Sequence, residues 1–172
     1  IIASCDGDDW WHKDYVLSLL NKIYQDPNVW ITHANLINWP ENKYIQQRSC
    51  PKDLVEKNMF REFDTGIGGL RTYYAWLFKK IKIEDLCYRG EFFPVTHDVA
   101  IMCPMLEMAG HRHKFIPDFL YVSNRTTGIN DFVTFPDFQK YLCLFIRYEK
   151  EKYKPLPNNP VLENEGKEVE NV

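Results

Sequence analysis

The chain lacks any apolar run approaching the roughly 20 residues that cross a bilayer as a helix, and no signal-peptide pattern opens it. A membrane span is not expected, and the sequence reads as a soluble, cytoplasmic protein, at most peripheral at a membrane. No Cys-x-x-Cys pair occurs among Cys5, Cys50, Cys87, Cys103 and Cys143. Their odd number and wide spacing argue against a zinc knuckle and a secreted disulfide framework, and fit a reducing compartment. Basic residues form no stripe. Against 24 Asp and Glu stand 21 Lys and Arg, for a formal charge of -3, and the small cluster Lys79, Lys80 and Lys82 suits a solvated helix face. Nucleic acid is therefore not an expected partner. No glycine-rich phosphate loop follows a strand, which sets aside a doubly wound dinucleotide-binding fold, and there is no internal repeat.

What is present is a chain of 172 residues, 45% hydrophobic and 15% aromatic, able to bury roughly 70% of its unfolded surface as one domain without disulfide staples. Asp14 followed by Val16, Leu17, Leu20, Ile23 and Tyr24 has helical spacing behind a capping residue, and Asp26-Pro27-Asn28 is a stop. Val29 to Ile37 is β-branched and aromatic, and Tyr44 to Arg48 returns after the turn at Pro40-Glu41-Asn42, so both predict strands. Lys52 to Asn58 predicts a short helix, and the glycines of Gly66-Ile67-Gly68-Gly69 a mobile or tightly turned loop. Thr72 to Ile81 and Asp98 to Ala109 predict helices, the second kinked or restarted by Pro104 and ended by Gly110. Phe115 to Val122 predicts a strand, and Thr134-Phe135-Pro136 opens a helix along Phe138, Tyr141, Leu142, Phe145 and Ile146. From Lys154 prolines and glutamates replace core residues, which divides the chain into a domain over residues 1–153 and a polar tail over 154–172. The whole is an α/β pattern.

The most informative segment is Ile1 to Trp11, where an apolar run, read as a buried strand, ends in Asp6, Asp8 and Asp9. Carboxylates at the carboxyl end of a strand stand where open α/β sheets bind ligands. Unpaired they repel, and a divalent cation relieves the repulsion while keeping coordination positions for phosphate oxygens. An acidic turn capping the next helix explains the same residues equally well. Because the chain opens on Ile inside this run, sequence is expected to be missing in front of it.

The turn Asp6-Gly7-Asp8-Asp9, followed by a helix with Asp14 near its start, resembles the DxD region of GT-A-fold glycosyltransferases of the family-2 type. Gly90-Glu91-Phe92-Phe93-Pro94-Val95-Thr96-His97-Asp98, continued by an apolar helix ending Leu106-Glu107-Met108-Ala109-Gly110, is similar to that family's segment carrying the catalytic aspartate. Phe115-Ile116-Pro117-Asp118-Phe119-Leu120-Tyr121-Val122 is similar to the strand that follows. Together these cover roughly residues 1–131 in the family's order.

The resemblance implies a GT-A-like mixed sheet flanked by helices, N-terminally truncated because the nucleotide-recognising strands of such domains precede the DxD turn. It implies an enzyme that moves a sugar from a nucleotide-diphosphate donor to an acceptor hydroxyl with inversion. Mn²⁺ or Mg²⁺ on Asp6 and Asp8 would neutralise the leaving diphosphate, with Asp6 also near the donor's ribose and Asp9 behind them or capping. Asp98 would be the general base. Read from the residues alone, Asp98 suits an N-cap of its helix better than a base, and the two roles are compatible. The glycine loop leading into Leu70-Arg71-Thr72-Tyr73-Tyr74-Ala75-Trp76 matches where such enzymes receive the acceptor, which makes Arg71, Trp76 and His97 the acceptor-side candidates; core packing is the commoner role for each aromatic. The acceptor stays open among carbohydrate, lipid-linked and protein species.

Two positions depart from the family's pattern. His97 stands where many relatives have Glu before the catalytic Asp. Where relatives often carry a further histidine ligand, this chain reads Ser123-Asn124-Arg125-Thr126-Thr127-Gly128-Ile129-Asn130-Asp131. Asn130 or Asp131 could stand in, or Arg125 could pair with the donor phosphates through its fork. Two other classes are carried as alternatives. One is a haloacid-dehalogenase-like phosphatase, whose paired aspartates also end an apolar strand, although Trp10 stands where that family has Thr or Val. The other is a non-catalytic carbohydrate-binding remnant of a glycosyltransferase. Trp10 and Trp11 either wall the donor site or seal the sheet edge. His12, His33, His111 and His113 show no ligand spacing, and the sequon Asn124-Arg125-Thr126 is discounted in a chain with no secretory signal.

Overall fold

The computed structural model describes residues 1–63, 67–128 and 134–157. In chain order the elements are β1 (Ile2–Ser4), β2 (Trp10–Trp11), α1 (Val16–Ile23), β3 (Ile31–Trp39), β4 (Lys43–Ile45), α2 (Lys52–Glu56), β5 (Arg71–Tyr73), α3 (Ala75–Phe78), β6 (Cys87–Tyr88), β7 (Glu91–Phe92), α4 (His97–Ala109), β8 (His113–Asn124) and α5 (Pro136–Tyr148). The fold is mixed α/β. Its main sheet has the order β1-β5-β3-β8-β2, with β4 continuing the β5 side of β3; among the described strands only β3 and β8 run parallel, and β6 and β7 form a separate hairpin.

The sheet is organised by β3, in which every residue from Ile31 to Ile37 is buried. Successive side chains of a strand point to opposite faces. Accordingly Ile31 joins a cluster with Tyr73, Leu77, Met102, Leu106 and Leu142, whereas Ala34 and Leu36 join Val16, Leu20, Leu70 and Leu120. Helix α1 thus covers one face and α4 the other. Ten of the thirteen residues of α4 are buried, the signature of a helix enclosed on nearly all sides. The β3–β8 register slips at Asn35, because Pro117 has no N–H to offer the ladder and β8 bulges there. Asn35 fills the gap: its Nδ2 donates to the Pro117 carbonyl at 2.5 Å and its Oδ1 accepts the Gln47 N–H at 2.7 Å.

Several expectations need correction. Strand β1 is an edge strand with Ile2 exposed, not a buried one, since it pairs with β5 alone. The expected helix from Thr72 to Ile81 is split: Arg71–Tyr73 is drawn into the sheet between β1 and β3, and the chain turns at Tyr74 before the four-residue α3. Tyr44 to Arg48 is strand only as far as Ile45. Pro104 does not restart α4, which runs unbroken through it. The residues at the helix starts are Tyr15 and Phe135, so neither Asp14 nor Thr134 caps as expected. Trp10 and Trp11 lie on the β2 edge against β8.

One buried ion pair ties three segments together. The Arg61 guanidinium donates to Glu107 through Nε at 2.5 Å and Nη2 at 2.8 Å, and also to the carbonyls of Ile146 at 2.8 Å, Lys150 at 2.7 Å and Glu151 at 3.0 Å. Glu107 further accepts the Tyr153 N–H at 2.9 Å. Beyond α5 the backbone stays on the core: Leu156 donates its N–H to the Met108 carbonyl at 2.9 Å. The rest of the polar stretch, residues 158–172, lies outside the described residues. None of the five cysteines forms a disulfide among the described residues, and among these residues no helix is long and apolar enough to cross a membrane.

Two predictions follow from burial. Glu107→Ala leaves the Arg61 charge buried without its carboxylate and should cost about 3–5 kcal/mol in denaturant unfolding, whereas replacing both members by Met and Leu removes the stranded charge and should cost less, the remainder being the bonds lost by the Ile146, Lys150 and Glu151 carbonyls and the Tyr153 N–H. His33 is fully buried on β3, and burial above all, with a contribution from His113, lowers its pKa from 6.5 to about 4, while its bond to the Arg48 carbonyl pulls the other way. Protonation therefore favours the unfolded chain. Stability should fall by roughly 3 kcal/mol as pH drops from about 6.5 to about 4, with no further loss from this group below that, and urea titrations of His33→Gln should lack that slope.

Candidate functional site

A cleft of about 360 Å³ opens where the chain leaves β1, between the end of β8 and the start of α4. Asp6, Asp8 and Asp9 line one wall, Ser123 and Arg125 the β8 side, His97 and Asp98 the α4 side, with Gly68, Gly69 and Arg71 also at its surface. Gly69 has φ +85°, and a Cβ there would stand 3.0 Å from Leu36 Cδ2, so this close approach of loop to strand requires glycine.

The acidic turn is held by β8. Asp9 donates its N–H to the Asp6 carbonyl at 3.1 Å, closing the turn. Asp6 donates its N–H to the Tyr121 hydroxyl at 3.0 Å, and Asp9 Oδ1 accepts the Asn124 N–H at 2.7 Å. Thr127 donates its hydroxyl to Asp8 Oδ2 at 3.0 Å. Burial pushes the Asp9 carboxyl above its ordinary range and the neighbouring Asp8 and Asp6 add to the effect, against the opposing bonds from Asn124 and Tyr121. Burial likewise raises the Tyr121 hydroxyl.

Arg71 lies between the turn and α4. It stands on β5 with Ser4 and His33 as its cross-strand neighbours, and only 5% of it is exposed. Nη2 donates to Asp6 Oδ1 at 2.7 Å, and Nη1 lies 3.7 Å from Asp98 Oδ2. Burial alone would lower the guanidinium's pKa, but Asp6 and Asp98 outweigh it and the pKa is raised. Asp98 Oδ1 accepts the Val99 N–H at 2.8 Å, leaving Oδ2 as the oxygen nearer Arg71. The N-cap of α4 is Thr96, held in the left-handed region at φ 62°, so Asp98 sits in the first turn and does not cap the helix.

Of the residues singled out from sequence, Asp6, Asp8, Arg71, His97, Asp98 and Arg125 meet on this one cleft. Arg71 is committed to Asp6 and Asp98, not turned outward as an acceptor contact. Arg125 donates its N–H to the Trp39 carbonyl at 2.7 Å and holds its side chain near Asn38. Trp76 is not brought to the cleft: it packs edge-on against Trp30 at 4.9 Å and stacks with Tyr74, because the break between β5 and α3 turns it into the core. Asn130 and Asp131 lie outside the described residues. Sequence reasoning missed Tyr121, Asn124 and Thr127, whose contacts span more than a hundred residues. It did not single out Gly69 within the glycine loop. His97 also forms part of the wall of a neighbouring apolar hollow of about 280 Å³, lined by Phe78, Phe92, Phe93 and Ile101.

Among the described residues no group of three or more His, Cys, Asp or Glu side chains is disposed to hold a metal ion. Asp6 and Asp8 nonetheless supply hard oxygens, and each keeps one carboxylate oxygen with no hydrogen-bond partner among the described residues. Two carboxylates suit Mg²⁺ or Mn²⁺, which usually leave most of their coordination to water and phosphate. No known protein-family profile matches the chain, and no curated protein or solved structure is significantly similar to it.

Removing the Tyr121 hydroxyl strips the Asp6 N–H of its acceptor. Tyr121→Phe should therefore destabilise the chain by about 1–3 kcal/mol in urea unfolding.

Proposed function

We propose that the chain acts as a GT-A-like glycosyltransferase, moving a sugar from a nucleotide diphosphate to an acceptor hydroxyl with inversion. The observation that carries the reading is convergence: Asp6 and Asp8, where the chain leaves β1, and Asp98, from the first turn of α4, line the same cleft. A cleft beyond the carboxyl end of a strand in a helix-flanked sheet is also where α/β folds bind nucleotides.

In this scheme Asp6 and Asp8 hold Mn²⁺ or Mg²⁺, which when bound neutralises charge growing on the departing diphosphate. Arg125, on the β8 side of the cleft, pairs with phosphate oxygens through its planar fork. Asp98 Oδ2 takes the proton of the acceptor hydroxyl as that oxygen bonds to the anomeric carbon. The bond from that carbon to the phosphate oxygen breaks, and its electron pair leaves with the diphosphate. His97, standing between the cleft and the apolar hollow, flanks the path of the acceptor.

In a protein that also carries the nucleotide-recognising strands, calorimetric titration of UDP-, GDP- and TDP-sugars should find a donor that binds in the presence of Mn²⁺ and not in its absence, whereas residues 1–172 alone should bind it weakly or not at all. Asp8→Asn should weaken that binding by about tenfold or more. Asp98→Asn, assayed at saturating Mn²⁺, should keep donor affinity while lowering turnover by about 10²- to 10⁴-fold. Trapping of a covalent phosphate on Asp6 from a phosphomonoester would replace this reading with the phosphatase.

A further inference from the structure

The transfer scheme leaves Arg71 without a task, yet its surroundings are unusual. One buried guanidinium serves two carboxylates that the scheme gives different work: Asp6 at the cation end at 2.7 Å, and Asp98 at the base end at 3.7 Å. The other charged groups at the cleft have other partners or lie apart, with Asp8 bonded by Thr127, Asp9 by the Asn124 N–H, and Arg125 beside Asn38. Arg71 is anchored on a strand paired on both sides, which limits how far its fork can travel. A buried guanidinium also cannot be left unpaired without a large penalty. Among the described residues its acidic partners are Asp6 and Asp98, and it can redistribute between them.

Resting on the transfer reading above, we infer that Arg71 is a positioning residue that couples the two ends of the cleft, so that a cation arriving at Asp6 and Asp8 hands the guanidinium over to Asp98. A cation on the second oxygen of Asp6 draws on the same carboxylate charge that holds Nη2 on Oδ1. As that bond loosens, the fork swings its hydrogen bonds toward Asp98 Oδ2, which moves from a loose contact to a firm one and is drawn into a fixed orientation at the moment the donor end is loaded. By linkage, whatever weakens the hold of Asp98 on Arg71 strengthens the hold of Asp6 and opposes the cation. The coupling needs no movement of the backbone.

The experiment is titration of the whole chain with Mn²⁺ alone, followed by electron paramagnetic resonance of the free ion. Arg71→Gln removes the competitor and should tighten Mn²⁺ binding by about tenfold, whereas Asp98→Asn, at a position that holds no cation, should weaken it by about threefold. The deciding comparison is the double variant: because Asp98 acts through Arg71, its substitution should have no effect in the Arg71→Gln background. Arg71→Lys keeps the charge but lacks the fork, and should also blunt the effect of Asp98→Asn; it serves if Arg71→Gln fails to fold. An unchanged affinity in Asp98→Asn, or an effect equally large with and without Arg71, would overturn the coupling while leaving the transfer reading intact. Failure of Mn²⁺ to bind any version, with Asp8→Asn as the control, would remove both the coupling and the cation from that reading.

Discussion

Arg61 and Glu107, paired where no water reaches them, hold the last turn of α4, and the geometry of the cleft depends on where that helix is held. Asp98 lies about two and a half turns before Glu107, roughly 13 Å along the axis. A shift at the anchored end would be carried to the other through a rigid rod. The same guanidinium takes carbonyls from α5 and from the segment after it, so one cation sets three pieces of backbone against one another. Such a network contributes little net stability relative to an apolar core of the same shape, because desolvation offsets attraction. What it contributes is a single arrangement, since every donor of the fork is matched and alternatives leave charge stranded.

The second buried arginine differs in a way that bears on chemistry. Arg61 meets its partners fully and has nowhere else to go. Arg71 is divided between two acids that also face solvent, one bonded closely and one held at a distance. The first arrangement makes scaffold and the second makes a responsive site, although both use the same side chain under similar burial. Around Arg71, β8 steadies the acidic turn with a backbone N–H and a phenol, so the carboxylates are constrained before any ligand arrives.

Much of the architecture was legible in the sequence. The spacing of Val16, Leu20 and Ile23, the β-branched run through Ile31 and the apolar block after Asp98 each announce an element. These signals are local and long enough to show a period. What was not legible depends on distant partners. Arg71–Tyr73 joins the sheet because β1 and β3 offer it ladders, while its neighbours Tyr73, Trp76 and Leu77 fall at helical intervals and conceal the strand. Two-residue strands such as β2 and β7 are too short to carry a pattern. The three acids of the cleft stood out as local motifs, whereas Tyr121 reads as an ordinary strand residue until the fold brings it to Asp6, 115 positions away. Trp76 misled for the opposite reason, since an indole suited to a sugar ring is equally suited to packing on Trp30.

The enclosure of β3 on both faces has its own consequence. In a half-wetted strand, sliding by one residue exposes oil and buries charge, so alternation alone locks the alignment. Here both sides are apolar, and that safeguard is weakened. Alignment falls to a few hydrophilic stitches: Asn35 spanning the bulge, Thr32 meeting Thr72 hydroxyl to hydroxyl at 2.6 Å, and His33 reaching the Arg48 carbonyl. Greasier substitutes at these places would preserve the oiliness of the interior while erasing the marks by which one alignment is told from its neighbours.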